Sequence, residues 1–393
     1  MKILQIHNQY RQPGGEDTVA TTEANLLREA GHTVIEHRER NPDGNLAAAG
    51  DLLRAPWNPR AAGRIGDLVR RHQPDVTHIH NTWYHLTPSV FRAVRAAGSP
   101  TVLTLHNYRL VCANSMLLRD GKPCELCVAS GNPWYAVRYR CYRDSAVQSA
   151  AAAATIAINR RRQTWQKDVD LFLALTDFAR RKMIEGGLPE QRIRVKPNFV
   201  SDPGRRTLST AESDLILFVG RLAPEKGPDV LVEAWQRANL EGLRLEIIGD
   251  GDMRETLAGR PGVALRGQLD GDQVRKLMLR ARALVLPSIW YEGLSMVMLE
   301  ALGAGLPVLA SALGAMPDVL HTLGESWLVD PGDPEALADR LQGLRDNDLV
   351  GQAGVGARAL YDSRYSPPVG LAGLEDAYRH ARGEVSVEDG SDR

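Results

Sequence analysis

Short runs of aliphatic and β-branched residues recur along this chain, each followed by a turn and then by apolar residues at helical spacing, a pattern that parallel sheets covered by helices accommodate and few other folds do. In the first half the runs are Ile3–His7, Thr33–His37, Val76–His80, Thr101–His106, Leu171–Thr176 and Ile193–Lys196. Between the first two, Asp17–Ala30 sets Val19, Leu26 and Leu27 on one stripe, and Gly31 supplies a stop. The second half repeats the alternation with Leu215–Val219, Leu243–Ile248, Gly262–Leu265, Ala283–Leu286 and Pro307–Ala310, and with helices near Lys226–Ala238, Asp270–Ala281, Ser295–Gly303 and Pro334–Arg345. A length of 393 residues exceeds one ordinary domain of roughly 100–200 residues. The expectation is therefore an α/β protein of two doubly wound, Rossmann-like lobes facing across a ligand cleft.

The periodicity breaks in Asn198–Asp214, where Pro203, Gly204 and the polar run Thr207–Ser213 intervene. Residues 1–200 and 201–365 are read as the two lobes. Residues 366–382 put Leu371, Leu374 and Tyr378 at helical spacing and are read as a helix packing back on them, while 383–393 is read as a disordered charged tail.

Composition, 43% hydrophobic and 24% charged, excludes a disordered chain. The formal net charge is zero, yet residues 1–200 hold 28 basic and 18 acidic side chains against 20 and 30 in the remainder. Neutrality thus hides two lobes of opposite sign. From Arg138 to Lys182 there are ten basic and four acidic residues, including Arg160-Arg161-Arg162 with Trp165, and Trp134, Tyr135, Tyr139 and Tyr142 lie nearby. That mixture suits an anionic membrane surface or a lipid-diphosphate ligand, and a solvated helix face is the plainer alternative. No nucleic-acid-binding motif accompanies it. Met1–His7 alternates as a strand does and gives no leader pattern, and the longest apolar run, Ala150–Ile158, falls short of the ~20 residues of a membrane span. A cytoplasmic protein, peripheral on the inner face of the membrane, is the expectation.

Two segments carry chemistry. The first run of the second half ends in Gly220-Arg221-Leu222-Ala223-Pro224-Glu225-Lys226-Gly227, so two cations flank a tight turn and suit a diphosphate. Pro287–Ala301 leaves a buried strand, turns at Glu292-Gly293 and enters a helix whose first free N–H groups, from about Gly293 to Met296, make an anion site. Glu292 stands at its mouth, and Glu300, two helical turns on, is read as sharing its face. Paired carboxylates around an anion site suit a polyhydroxylated ligand that carries a phosphate.

The Arg221/Lys226 loop, followed by two Glu in this arrangement, resembles the retaining glycosyltransferases of family 4 on the GT-B scaffold. Pro13-Gly14-Gly15-Glu16 is similar to the family's glycine-rich loop, Thr104-Leu105-His106-Asn107-Tyr108 to its strand with a histidine at the cleft, Pro197-Asn198-Phe199-Val200 to its interdomain turn, and Ile248-Gly249-Asp250-Gly251 to its glycine turn under the donor. The order is correct from residue 1 to about 380. The resemblance implies a hexosyltransferase that moves a sugar from a nucleotide-diphosphate sugar to a glycan or lipid-linked acceptor in bacterial surface-polysaccharide assembly, with no cofactor for catalysis. It implies Arg221 and Lys226 on the diphosphate, Glu300 on the ribose, and Glu292 with Gly293, Leu294 and Ser295 on the donor sugar. It further implies His106 hydrogen-bonded to that sugar near the reacting centre, Glu292 and His106 as the catalytic pair, and Gly14, Gly15, Gly249 and Gly251 close to the donor. A sugar-nucleotide epimerase, a phosphorylase and a non-catalytic membrane-bound nucleotide-binding subunit are the competing readings. Asp250-Gly251-Asp252 spells a metal motif but sits in the glycine turn and is discounted.

All four cysteines fall in the loop 112–141. Cys124-Glu125-Leu126-Cys127 has metal-knuckle spacing, and with Cys112 and Cys141 four thiolates can hold a structural zinc; four reduced, partly buried thiols are the alternative. Among the other histidines, His78 reads as structural, while His80 and His7 can approach the same cleft as His106.

Overall fold

The computed structural model describes residues 1–9, 14–41, 50, 52 and 54–384. The expected disordered tail lies almost wholly outside the described residues. The chain divides into two compact units: unit 1 is Met1–Leu117, Glu125–Lys196 and Leu371–Arg393, and unit 2 is Leu118–Cys124 and Pro197–Gly370. The crossing falls at Lys196/Pro197, four residues before the expected boundary. Part of the cysteine loop, assigned from sequence to the first lobe, groups with unit 2.

Unit 1 is built on a parallel sheet of β1 (Lys2–Gln9), β2 (Thr33–Arg40), β3 (Val76–Asn81), β4 (Thr101–Leu105), β7 (Leu171–Ala174) and β8 (Ile193–Val195), in the order β2-β1-β3-β4-β7-β8. A small antiparallel hairpin, β5 (Leu118–Arg119) and β6 (Lys122–Pro123), interrupts the sequence after β4. Every residue of β3 and β4 is buried, as expected of central strands with helices on both faces. The edge strand β2 is instead half-buried over most of its length and carries Glu36, Arg38, Glu39 and Arg40, charges that discourage pairing with another chain.

Unit 2 repeats the plan with β9 (Leu215–Val219), β10 (Arg244–Ile248), β11 (Val263–Gly267), β12 (Ala283–Leu286), β13 (Val308–Ser311) and β14 (Leu328–Val329), all parallel and ordered β11-β10-β9-β12-β13-β14. Its core joins Ile216 and Phe218 of β9 and Leu245 and Ile247 of β10 to Leu231 and Trp235 of the helix Pro228–Ala238, and to Leu337 and Leu341 of the helix Pro334–Gly343. Each such side chain contributes roughly 1.5–3 kcal/mol by leaving water.

The strands read from sequence overlap those observed and differ only at their ends. Helices at Pro59–His72, Ala146–Arg162 and Asn347–Arg364 add to those read. Ala150–Ile158 lies inside the second of these, and no helix among the described residues is long and apolar enough to cross a membrane. The last helix, Pro367–Ala381, returns from Leu371 onward to unit 1, where Glu375 meets His32 at 2.9 Å, Asp376 meets Arg194 at 2.9 Å, and the Tyr378 hydroxyl bonds His78 at 2.9 Å.

Candidate functional site

In unit 2 the chain winds from β9 outward to β10 and β11 and then returns to β12 on the other side of β9. The carboxyl ends of β9 and β12 therefore open a crevice at the point where the winding reverses. The loops leaving those two strands hold the residues singled out from sequence, and backbone contacts fasten them together. The Ile289 N–H donates to the Glu225 carbonyl at 3.0 Å, and Gly227, at φ +65°, lies where a Cβ would come within 2.2 Å of the Pro287 carbonyl oxygen. On the other side Gly220 N–H donates to Ile248 O at 3.0 Å and Leu222 N–H to Asp250 O at 2.9 Å. Gly249, at φ +138°, leaves a Cβ only 1.9 Å from Gly220 O, and Gly251, at φ +154°, leaves it 2.4 Å from Leu222 O. Only glycine fits there, because a side chain would push the loops apart.

On this platform Lys226 Nζ lies 2.6 Å from Glu292 Oε1 and 5.3 Å from the centre of the Trp290 ring. The same carboxylate oxygen accepts from Ser288 Oγ at 2.8 Å and from Trp290 Nε1 at 3.2 Å. Burial pushes the Glu292 carboxyl up, but the Lys226 charge and these three donors outweigh it and hold it below the usual carboxylate range. Arg221 remains largely exposed, 62%, and donates to Glu225 Oε1 at 2.5 Å. Ser288 and Trp290 were not singled out; their signal was proximity to Glu292 at the end of a buried strand.

Two readings of this region are corrected. The helix begins at Met296 with Ser295 as its N-cap, so its free N–H groups come from Ser295, Met296 and the residues just after, and Gly293 and Leu294 belong to the preceding loop. Glu292 therefore lies outside the helix, and the eight-residue spacing does not put it on one helical face with Glu300. Glu300 has no side-chain partner among the described residues, and burial raises its carboxyl. Among the described residues, Asp250 and Asp252 form no metal-ligating cluster with another acid or histidine. A cavity of about 600 Å³ between Gly204–Thr210, Gly303–Gly305 and the helix Asn347–Arg364 lies away from these residues. Its Arg206 and Arg358 are bonded to backbone carbonyls, and Arg358 also to Asp202.

In unit 1 the winding reverses at β1 and β3, and the corresponding cluster is histidine-rich. His7, two residues before the end of β1, bonds Asp17 Oδ1 at 2.9 Å, although burial keeps it below the usual histidine range. His78 and His80 lie on the same face of β3, with ring centroids 4.3 Å apart. His78 is structural, bonded to Thr104 Oγ1 at 2.8 Å and to the Tyr378 hydroxyl, and burial lowers it to about 4. His80 instead reaches His106, just past β4, with Nδ1 3.0 Å from His106 Nε2. Both are pushed well below the usual range, by burial first. Behind them Glu23, fully buried, is bonded to Lys196.

Glu23, His78 and His80 are close enough together to hold a metal, the only such group among the described residues. Both nitrogens of each histidine are already bonded, and an ammonium sits on the carboxylate, so the donor set does not suit a cation. Sequence reasoning missed Glu23 and Lys196. Glu23 falls between Val19, Ala20, Ala24 and Leu27 on the buried stripe of the helix Gly15–Glu29, an acid among apolar neighbours that was the available signal.

Beside His106, Asn107 Nδ2 donates to Glu16 Oε1 at 2.6 Å, and burial raises Glu16 to about 7 against that hydrogen bond. The Arg109 guanidinium lies between the rings of Trp83 and Tyr142, 4.7 and 4.8 Å from their centres. Gly14 is the N-cap of the helix Gly15–Glu29 at φ −133°, and a Cβ there would meet nothing within 4 Å, so the fold itself does not require glycine at this position.

The zinc expectation does not fit. All four cysteines lie outside disulfides, and no three of their sulfurs come within ligating distance. Cys112 is buried, and its thiol donates to Asn114 Oδ1 at 2.9 Å. Cys141 packs on the apolar cluster of Trp83, Tyr84 and Ile156. Such thiols behave as small apolar side chains. Trp165, read as part of a surface, is also core: it is buried edge-on against Phe91, with centroids 5.7 Å apart.

Two doubly wound units in one chain, each with a polar cluster at the switch point of its sheet, are the GT-B architecture. Residues 14–198 match the glycosyl transferase 4-like domain, and residues 213–347 match glycosyl transferases group 1. Over 377 residues the chain is 28% identical to a phosphatidyl-myo-inositol mannosyltransferase of Mycobacterium leprae, covering 90% of this chain and 89% of that one. It is 30% identical over 305 residues to a 2-deoxystreptamine N-acetyl-D-glucosaminyltransferase of Streptomyces fradiae, covering 72% and 66%. The match to an uncharacterized glycosyltransferase of Methanocaldococcus jannaschii, 35% identical, covers 34% of this chain and spans 36% of that protein. Among solved structures, sucrose-phosphate synthase of Thermosynechococcus elongatus superposes with TM-score 0.70 at 16% identity, covering 98% and 100%. HepE of Anabaena in complex with UDP and glucose gives 0.63 at 17%, covering 96% and 98%. The chain belongs to the family-4 type of GT-B glycosyltransferases.

Proposed function

We propose that the protein transfers a hexosyl group, with retention of anomeric configuration, from a nucleotide-diphosphate sugar to a glycan or lipid-linked acceptor during surface-polysaccharide assembly. The observation that carries this reading is the pairing of Lys226 with Glu292 on the glycine-fastened platform of unit 2. A cation, a buried carboxylate and the start of a helix there supply what a diphosphate and the hydroxyls of a sugar require. Lys226 and the exposed Arg221 hold the diphosphate, Glu300 accepts from the ribose hydroxyls, and Glu292 accepts from the sugar. The leaving phosphate, stabilised by these charges, takes the proton of the incoming hydroxyl, so the scheme calls on no metal. In this reading His106 donates a hydrogen bond to the sugar.

Support comes from the relatives. HepE has been solved with UDP-glucose, and the Mycobacterium leprae protein is by name a mannosyltransferase acting on a phosphatidyl-inositol. Trp134 and Tyr139 stand 49% and 41% exposed among Arg138, Arg140 and Arg143, which suits a site on the cytoplasmic face of an anionic membrane. Glu292→Gln tests the catalytic assignment. Transfer should fall by about 100-fold or more while nucleotide binding persists; undiminished transfer would remove Glu292 from the reaction.

A further inference from the structure

The hydrogen bonds behind His106 form a chain whose direction can be read from its far end. Gln5 Nε2 lies 3.0 Å from the Ala20 carbonyl oxygen and 3.0 Å from His80 Nε2. A carbonyl only accepts, so the Gln5 atom facing Ala20 is its amide nitrogen, and the second N–H of that nitrogen points at His80. His80 Nε2 must then accept. A neutral imidazole accepting at Nε2 carries its proton on Nδ1, and His80 Nδ1 faces His106 Nε2 at 3.0 Å. His106 accepts in its turn, which leaves its own proton on Nδ1.

Nothing around the chain diverts it. Glu23 Oε2 stays 3.6 Å from His80 Nε2, outside hydrogen-bond reach, and its other oxygen is taken by Lys196. His7 meets His80 only edge-on, with centroids 6.1 Å apart, and spends its Nε2 on Asp17. His78 is held by Thr104 and Tyr378. Both His80 and His106 are neutral, since burial and the neighbouring positive charge oppose protonation. His106 Nδ1 has no partner among the described residues, and the ring borders a cavity lined also by Asn81, Thr82, Trp83 and Asn107.

We propose that Gln5 and His80 are positioning residues that hold His106 as the neutral Nδ1–H tautomer, so that it offers the sugar a hydrogen-bond donor and no acceptor. The functional part rests on the reading of His106 as the sugar contact given above; the tautomer does not. A side chain able to switch tautomers would present donor or acceptor with equal ease, and part of its population would meet the sugar oxygen with a lone pair. Fixing the proton two residues away removes that fraction.

Histidine-selective nitrogen NMR on the full chain tests the tautomer directly. The expected spectrum gives His106 a pyridine-like Nε2 and a pyrrole-like Nδ1; the reverse overturns the proposal. Gln5→Glu replaces the donor by an acceptor and should turn the chain round, moving the His106 proton to Nε2 and lowering kcat/KM by about tenfold. An unmoved proton in a folded Gln5→Glu variant also overturns the proposal. A moved proton with unchanged kinetics leaves the chain standing and ends the reading of His106 as the sugar contact. His80→Asn keeps an amide N–H within reach of His106 without relying on Gln5. It should retain the Nδ1–H tautomer and make an added Gln5→Glu change silent, and it stands in where Gln5→Glu alone does not fold.

Discussion

The two units share a winding plan and use it differently. In unit 1 the polar groups at the switch point sit on the strands, just past them or, for Glu23, on the helix Gly15–Glu29, and bind one another in the interior. Gln5, His78, His80, Glu23 and Lys196 are all at least 95% buried. In unit 2 the two strands that open the crevice, β9 and β12, are apolar throughout, and the polar groups stand on the loops that leave them, fastened by glycines. One site is held by side-chain chemistry in low dielectric, the other by backbone contact. A substitution should therefore act on unit 1 through an uncompensated buried polar group, and on unit 2 through displacement of a loop.

Lys196→Met breaks the comparison most forcefully if it is wrong. It strands the buried Glu23 carboxylate beside two histidines and should cost about 3–5 kcal/mol in urea unfolding, whereas breaking the exposed Arg244–Asp214 pair of unit 2 should cost under about 1 kcal/mol. Equal costs would mean that the interior of unit 1 solvates Glu23 by other means. Gly249→Ala comes next. Its Cβ meets a backbone oxygen, so the Gly220–Leu222 loop must shift and the cost should reach about 1–3 kcal/mol, while Gly14→Ala, facing open space at an extended φ, should cost under about 0.5 kcal/mol. A silent Gly249→Ala would show that the platform yields.

Much of this contrast was legible in the sequence for unit 2 and little of it for unit 1. Glycines at 220, 249 and 251 follow strand ends and Gly227 precedes a helix, and the rule relating them to phosphate-binding turns is local. The spacing argument for Glu292 and Glu300 failed because a loop separates Glu292 from the helix, and helical periodicity says nothing across a loop. The histidine cluster was visible only as single residues at strand ends. Its partners are too remote for any pattern: Tyr378 lies 300 residues from His78 and Lys196 lies 173 from Glu23. The cysteine spacing misled for the opposite reason, since a local pattern matched while the fold buries Cys112 against Asn114 and packs Cys141 on an apolar cluster.

Glu16 gives the smallest and most selective effect. Its carboxyl, ordinarily near 4.5, is raised to about 7 by burial. A carboxyl raised in the folded state stabilises that state while protonated, so its contribution is full below the unfolded value near 4.5 and is lost as the pH climbs through about 7. Glu16→Gln should remove this slope, leaving the variant more stable than the parent by roughly 1–2 kcal/mol at pH 8 and matched to it at pH 4. Parallel pH profiles for the two proteins would place Glu16 in water.

The central claim, that the glycine-fastened platform of unit 2 holds a nucleotide diphosphate through Lys226, is tested most directly by thermal unfolding with UDP, GDP, ADP and dTDP, on the parent protein and on Lys226→Ala. Stabilisation grows as RT ln(1 + [L]/Kd), so at about 100 times its Kd the matching nucleotide should raise the midpoint by roughly 5–10 °C. One such nucleotide is expected, with the loss of most of its shift in Lys226→Ala. A flat response to all four, or an equal shift in the variant, would contradict it.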